Sequence, residues 1–380
     1  MHSINLTSAI AAGKQTNETI SRQHKLLDEV QHALDVAYAS SMAIESPLTV
    51  VANLLLLMAI IYRRKLHTTD CCTIASLAVA NIFMGLTDMP MDAIVRIPNL
   101  EPLVRSNRPT CFFWWFSGTF GLFSSLNSLC LLSIERCIAI IWPLHYHKWL
   151  TLKRVLGVIV IVWVLEGMRA SLIFFVGKYF ESAPTLKGKC NYYYGLPKWF
   201  QNELGNYKVY VTFAISIVCC SLAAFIACRQ VRRLEKTVGS TPTPAERRAM
   251  KRRKRNVGIA ALVNYIVFLM WLPIQVESSV SRALELTYPQ AHVIHTVGII
   301  VLKTSLLVSP LVIALCRPTI RQAFLFFLTT PPWKWSEVRD HEIKDTTFLS
   351  KTSSGAPDVM PTTETPDKGT GEDVEVRNTE

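Results

Sequence analysis

Charged residues are scarce in this chain, and seven long blocks of the sequence contain almost none. Asp, Glu, Lys and Arg make up 18% of the 380 residues, whereas 50% are hydrophobic. Each block has roughly the 20–25 mostly apolar residues needed to cross a bilayer, where every backbone polar group must be bonded within a helix. The scarcity of charge therefore argues against a soluble protein and predicts an all-α membrane protein. The blocks are residues 43–62, 72–95, 112–134, 155–176, 207–228, 257–280 and 292–316.

Three further features are missing from the sequence. It has no internal repeat and no pair of discontinuous helices, which argues against a transporter. It has no metal-ligating or nucleophile constellation, which argues against an enzyme built on the same helices. Residues 1–41 lack an apolar core, so we expect no cleavable signal peptide and a first span that itself directs insertion.

Positive charge is concentrated in three connectors. The net charge is +12, and because residues 337–380 carry 11 acids and 5 bases (−6), the remainder carries +18. Basic residues follow the first, third and fifth blocks, at 63–65, 148–154 and 229–255. The positive-inside rule makes these connectors cytoplasmic and the N-terminus extracellular, as in a multi-pass plasma-membrane protein. The run Lys251–Arg255 is then better explained by anionic membrane lipid than by nucleic acid.

Features near the outer face agree with this orientation. Asn5 and Asn17 each begin an N-glycosylation acceptor, within the predicted extracellular segment 1–41. Cys111 and Cys190 are the two cysteines placed outside the bilayer, in an oxidising compartment, so we expect a disulfide between them. The predicted organisation is an extracellular segment 1–41, a transmembrane domain 42–328 and a disordered cytoplasmic tail 329–380.

Several spaced motifs identify a family. Glu135-Arg136 closes the third block, and Arg136 lies 25 residues after Cys111. The motif Trp142-Pro143-Leu144 follows. Trp271-Leu272-Pro273 lies in the sixth block, and Ser309-Pro310 lies in the seventh. As a set these motifs resemble those of the rhodopsin-like (class A) G-protein-coupled receptors. The resemblance implies a seven-transmembrane helix bundle with a short amphipathic eighth helix, here residues 317–324.

The same resemblance implies roles and partners. Glu135 and Arg136 would take part in coupling to a heterotrimeric G protein. Trp271, Pro273 and Pro310 would form the switch, because a proline kinks its helix. In this family, tails such as 329–380 recruit arrestin after phosphorylation by a receptor kinase, and a plain solvated tail is the alternative.

The cytoplasmic lock of many opsins is altered here. Arg253 is basic where those proteins carry an acid that pairs with the third-helix arginine. We therefore expect the lock between the third and sixth helices to be missing. The contact between Glu135 and Arg136 is then the candidate for holding the inactive state.

Lys303 is the residue that suggests a particular branch of the family. A lysine inside an apolar span costs about 2.5–3.5 kcal/mol on insertion scales. Such a residue is therefore kept mainly where it is paired, hydrated or chemically used. Lys303 lies seven residues before Pro310, and Lys303-Thr304-Ser305 is similar to the retinal-binding sequence of opsins. The resemblance implies a divergent, invertebrate-type opsin that binds retinal (11-cis or all-trans) as a Schiff base on Lys303. The alternative is a class A receptor in which Lys303 holds a diffusible anionic small molecule, lipid or peptide.

The opsin hypothesis requires a chromophore pocket and a counterion. Trp271, Phe268, Trp114 and Tyr265 are candidate walls, and Gly118 is a further pocket position. Trp114 replaces the glutamate that many opsins use as counterion. The remaining counterion candidates, with Asp92 favoured and Glu277 ranked last, are Asp92, Asp88, Glu181 and Glu277.

Gly118 also carries a negative prediction. It lies seven residues after Cys111, where amine receptors keep an aspartate for the ligand ammonium. The sequence therefore predicts that the chain is not an amine receptor.

Overall fold

A computed structural model describes residues 6–178, 195–237, 265–277 and 288–331, together with residues 280 and 284. These residues belong to one compact unit, Met1–Pro332. They are almost entirely helical, and no β-strand occurs among them. The all-α prediction is therefore confirmed for the described part of the chain.

Within the described part, six helical stretches are long and apolar enough to cross a membrane. The sixth predicted block appears as a shorter apolar helix, Tyr265–Glu277, because the rest of that block lies outside the described residues. We number the spans one to seven along the chain. Their helices are Leu6–Tyr62 (first), Thr69–Leu86 and Asp88–Val95 (second), Arg108–Ile141 (third), Leu152–Ser171 and Ile173–Val176 (fourth), Tyr207–Thr237 (fifth), Tyr265–Glu277 (sixth) and Tyr288–Cys316 (seventh).

Shorter helices connect the spans. The predicted eighth helix is present as Pro318–Thr329, directly after the seventh span. The other short elements are the 3₁₀ turn Arg64–Leu66, the helices Glu101–Arg105, Pro143–Trp149 and Lys198–Gln201, and the π-helical turn Asn202–Asn206.

The first helix is longer than its apolar block. It runs for 57 residues from Leu6 to Tyr62, about 85 Å at 1.5 Å per residue. The part of this helix that qualifies as a membrane span begins at Asp28, so the helix continues well beyond it towards Leu6. Helix-favouring residues such as Ala, Lys, Glu, Gln and Leu dominate this polar extension, which explains its regularity. Asn17 lies on this extension, and Asn5 lies outside the described residues.

Buried amides join several of the spans. Asn81 of the second span donates to the side-chain oxygens of Asn53 and Ser309, at 3.2 Å in each case. Its own carbonyl oxygen accepts from Ser125 at 2.8 Å. Together, these bonds of Asn81 join spans one, two, three and seven, as expected for a buried amide that needs polar partners inside a membrane.

Candidate functional site: a lysine between two carboxylates

The lysine of the seventh span meets two carboxylates of the second span. Nζ of Lys303 donates to Oδ2 of Asp88 at 2.6 Å and also to Oδ2 of Asp92. The side chains are 7%, 5% and 12% exposed, respectively, so all three charges are buried. The partners that a charged residue needs inside a membrane are thus supplied by the neighbouring helix.

A break in the second span aims both carboxylates at Lys303. The helix stops at Leu86 and a new helix begins at Asp88. At the break, the hydroxyl of Thr87 donates to the carbonyl of Phe83 at 2.7 Å, a bond of the type that bends helices. Asp88 and Asp92 are four residues apart in the new helix, so they share one face.

Two further spans contribute to the same cluster. The hydroxyl of Tyr38, from the first span, donates to Oδ2 of Asp92. The indole nitrogen of Trp114, from the third span, donates to Oδ1 of Asp92 at 2.8 Å. Asp92 therefore has a donor for each oxygen, which fits a structural role for this carboxylate.

Asp88 has a different environment. A Cβ atom built on Gly118 would lie 2.6 Å from Oδ1 of Asp88, so the glycine leaves the space that this carboxylate uses. Within the described part of the chain, Oδ1 of Asp88 has no hydrogen-bond partner, since its one bond, to Lys303, uses Oδ2. The second span thus brings a carboxylate to the position where the third span has only glycine. A missing aspartate at residue 118 therefore does not remove negative charge from this place.

The cluster carries an excess of negative charge. Counted at their ordinary charges, one lysine and two aspartates sum to −1. An uncompensated charge in a low-dielectric interior is costly, by several kcal/mol in real proteins. Within the cluster, Oδ1 of Asp88 is the carboxylate oxygen that has no hydrogen-bond partner among the described residues.

The predicted aromatic walls divide into two groups. Trp271 and Phe268 are buried, with ring centroids 5.6 and 4.7 Å from that of Phe213 in the fifth span. Tyr265 is 37% exposed, and its hydroxyl bonds with Ser221 at 2.7 Å. The structure therefore places Tyr265 on the outer surface of spans five and six, because its helix presents that turn outwards.

The remaining predicted site residues either have other partners or lie outside the described residues. Oε2 of Glu277 lies 3.7 Å from Nδ1 of His295, so its near partner is a histidine. Glu181 lies outside the described residues. Cys111 is disulfide-bonded, and its pairing with Cys190 stays a prediction because Cys190 also lies outside them.

Near the end of the third span, Arg136 pairs with a carboxylate that the sequence analysis missed. Arg136 donates to Oδ2 of Asp70, at the start of the second span. Nη1 of Arg317, which precedes the eighth helix, donates to the same oxygen at 2.6 Å. An acid in the first turn of a helix is ordinarily explained by the helix dipole, so sequence offered no signal for this bridge. Arg253, central to the predicted missing lock, lies outside the described residues.

Glu135 bonds elsewhere, so the expected contact between Glu135 and Arg136 is not the one observed. Glu135 accepts from Thr73 at 3.2 Å and from the hydroxyl of Tyr146 at 2.8 Å. Burial raises the pKa of Tyr146 to about 12, so this hydroxyl remains a donor at neutral pH. Successive residues of a helix point about 100° apart, which sends Glu135 and Arg136 to different neighbours.

Comparison with known proteins decides the family. The family described as "7 transmembrane receptor (rhodopsin family)" matches residues 52–315, more than half of the chain. The chain belongs to this receptor family. A seven-helix bundle, a multi-pass membrane location and G-protein coupling follow from that membership, as the sequence predicted.

Individual relatives are similar at a lower level. "Trace amine-associated receptor 6" of Homo sapiens is 26% identical over 291 residues, which cover 74% of this chain and 82% of that protein. "Alpha-1A adrenergic receptor" of Oryzias latipes is 29% identical over 170 residues, covering 44% of this chain and 34% of that protein. "Dopamine receptor 2" of Drosophila melanogaster is 35% identical over 119 residues, covering 31% of this chain and 22% of that protein.

These names bear on two sequence predictions. They refer to trace amines, adrenergic receptors and dopamine, and none of the three relatives is named as an opsin. They give no support to the opsin assignment, which continues to rest on Lys303. They also give no support to the exclusion of amine receptors, which rested on Gly118.

Proposed function

We propose that the chain is a class A receptor for a diffusible ligand that carries a positively charged nitrogen, and that it activates a heterotrimeric G protein. The observation that carries the proposal is Oδ1 of Asp88, a carboxylate oxygen without a hydrogen-bond partner among the described residues, beside Gly118. The names of the relatives support the same ligand class.

The charge of the cluster favours a cation over an anion. Lys303 is already paired with two carboxylates, so an anionic ligand would have to compete with both of them. A monovalent cation would instead bring the net charge from −1 to zero. Since opposite charges attract strongly where water is excluded, this neutralisation would contribute to both affinity and selectivity.

Aromatic side chains support the same ligand class. Trp114 is tied to Asp92 by its indole nitrogen, so its ring is held at the edge of the charge cluster. An ammonium group within about 6 Å of such a ring is stabilised by roughly 0.5–2 kcal/mol. Trp271, buried in the sixth span, is the residue through which ligand binding would reach the helix that contains Pro273.

A ligand screen with a matched variant tests this proposal. Cells expressing the receptor are exposed to primary, secondary and quaternary amines, and G-protein activation is recorded. Asp88→Asn should lower the potency of an active amine at least tenfold, because the amide has no negative charge. Asp35→Asn is the control, since Asp35 is 35% exposed and pairs with Arg96 near the outer end of the first span. Equal potency in Asp88→Asn and Asp35→Asn would reject an ammonium partner at Asp88.

An opsin is the second candidate, favoured by a different observation. Lys303 lies seven residues before Pro310 and has two carboxylates within hydrogen-bonding distance. Retinal attached to Nζ would place a positive charge at this nitrogen, and Asp88 and Asp92 are positioned to balance it, so the residues fit the group. Retinal would supply light absorption, while Asp88 or Asp92 would take the proton that Lys303 must lose before it can react.

Reconstitution separates the two candidates. The purified receptor is incubated with 11-cis or all-trans retinal, its spectrum is recorded in darkness and after illumination, and bound retinal is trapped with borohydride. A bleachable band and a retinyl group on Lys303, both lost in Lys303→Ala, would establish the opsin and reject the first proposal. No band and no trapped adduct would reject the opsin.

Orientation and regulatory partners are proposed from the sequence. The basic connectors support an extracellular N-terminus and a cytoplasmic C-terminus. Glycosylation at Asn5 and Asn17 would support the same orientation. Binding of arrestin and phosphorylation by a receptor kinase are proposed for the tail 329–380, most of which lies outside the described residues.

A further inference from the structure

A cavity of about 470 Å³ lies between spans three, four and five, and its lining includes no residue of the Lys303 cluster. Its volume is within the range of small-molecule pockets, roughly 300–1,000 Å³. The residues that matter for its chemistry are Asn127, Leu131, Leu165, Glu166, Arg169 and Lys208.

One carboxylate in this cavity is shared by several donors. Glu166 is 5% exposed and accepts from Nε of Arg169 at 2.7 Å and from Asn127 at 2.8 Å. It also pairs with Nζ of Lys208, whose side chain is 25% exposed. Since Glu166 also accepts from Arg169 and Asn127, it neutralises the positive charge of Lys208 only in part. Lys208 lines the cavity. A second anion at Lys208 would complete the compensation that a charge in a membrane requires.

The cavity changes from charged to apolar along the bundle axis. Spans three and four run in opposite directions, so the steps from Asn127 to Leu131 and from Glu166 to Val162 lead towards the same end of the bundle. The charged Arg169 and Lys208 therefore lie towards one end of the cavity, and the apolar Leu131 and Val162 lie towards the other. Leu165 is 54% exposed, which opens the wall to the surrounding acyl chains.

We propose that this cavity binds an anionic amphiphile from the outer leaflet. Its singly charged head would lie at Lys208, and its acyl chain would run along Leu165 and Leu131. A fatty-acid carboxylate and a phosphatidylglycerol headgroup share this chemistry, because each joins one negative charge to an apolar chain. The proposal does not depend on the ligand or the chromophore of the Lys303 cluster.

Binding of radiolabelled oleate to the intact receptor tests the site. The receptor is placed in nanodiscs of phosphatidylcholine, which has no net charge, and oleate is titrated with empty nanodiscs subtracted. Wild-type receptor should bind oleate saturably, and phosphatidylglycerol built into the nanodisc should compete only if the site also accepts that lipid. Lys208→Gln should weaken oleate binding at least tenfold, because the cationic partner is removed. Lys208→Arg should retain it.

Two further variants protect the test against misfolding and non-specific partition. Leu165→Trp fills the open wall without touching the charged groups, and it should also reduce oleate binding. Lys148→Gln removes a positive charge from the cytoplasmic connector and should leave binding unchanged. Oleyl alcohol, which has no charge, should bind wild type and Lys208→Gln equally. Non-saturable oleate uptake, or equal affinity in wild type, Lys208→Gln and Leu165→Trp, would overturn the proposal.

Discussion

Oδ1 of Asp88 lies 2.6 Å from the point that a Cβ atom of Gly118 would occupy. Real Cβ atoms essentially never approach another heavy atom so closely, so a side chain at residue 118 would require the Asp88 carboxylate to shift. The second span therefore supplies a carboxylate close to the position that a side chain at residue 118 of the third span would occupy. The absence of an aspartate at residue 118 therefore does not leave this place without a carboxylate.

Adding a single methyl group at Gly118 should disturb this arrangement. Gly118→Ala should displace Asp88, lower the free energy of unfolding by about 1–3 kcal/mol and reduce ligand potency. Thermal unfolding in detergent and the potency of an active ligand are the two measurements. Gly157→Ala is the matched control, because nothing lies within 4 Å of the Cβ position there. If the two alanine variants were indistinguishable, the close approach of Asp88 to Gly118 would be refuted.

Removing the lysine should expose the charge imbalance of the cluster. Lys303→Met leaves Asp88 and Asp92 buried without their shared cation, and breaking a buried pair in this way costs about 3–5 kcal/mol. Adding Asp88→Asn and Asp92→Asn to the same chain should restore much of the lost stability. Thermal unfolding of the purified variants measures both effects. A single variant Lys303→Met as stable as wild type would contradict the ion-pair arrangement.

Asp70 should restrain the receptor in its inactive state. Asp70→Asn removes the charge that holds Arg136 and Arg317 together, which frees the third-span arginine for the G protein. We expect ligand-independent G-protein activation to rise several-fold, measured as nucleotide exchange per surface receptor. Arg317→Gln should produce a smaller rise, because Arg136 keeps its carboxylate. Unchanged basal exchange in Asp70→Asn would show that this bridge does not restrain activation.

The hydroxyl of Tyr146 should stabilise the contact between the start of the second span and the end of the third. Tyr146→Phe removes a donor to Glu135 and a bond to Thr69, at a cost of roughly 0.5–1.5 kcal/mol for each lost hydrogen bond. Thermal unfolding should therefore begin at a lower temperature than in wild type. Tyr207→Phe is the control, since Tyr207 is 62% exposed at the start of the fifth span. Equal unfolding temperatures for the two variants would argue against these bonds.

The spans and their motifs could be predicted because they are local properties of the chain. An apolar block of membrane length can be recognised from the sequence alone. The helices observed for the described residues correspond to the predicted blocks. The extent of the first helix was underestimated, since its polar part has no hydrophobic pattern to show where it begins. The bond between Asn53 and Asn81 was predictable because a buried amide in a membrane needs a polar partner.

Contacts between distant residues required the tertiary structure. Lys303 was recognisable as a costly residue that needs a partner, and both Asp88 and Asp92 were candidates. The placement of both carboxylates against Lys303 depends on the helix break at Thr87, which no local sequence pattern predicted. Asp70 likewise gained its importance from Arg136 and Arg317, which are 66 and 247 residues away in the sequence.

The sequence by itself thus determined that the chain crosses the membrane as helices and that one span carries a lysine seven residues before Pro310. Those properties follow from the length and composition of single segments. Only the tertiary structure decided that Lys303 is shared by two carboxylates, that Gly118 makes room for one of them, and that Arg136 pairs with Asp70. The rotation and bending of packed helices set these relationships, and they depend on all the neighbouring helices at once.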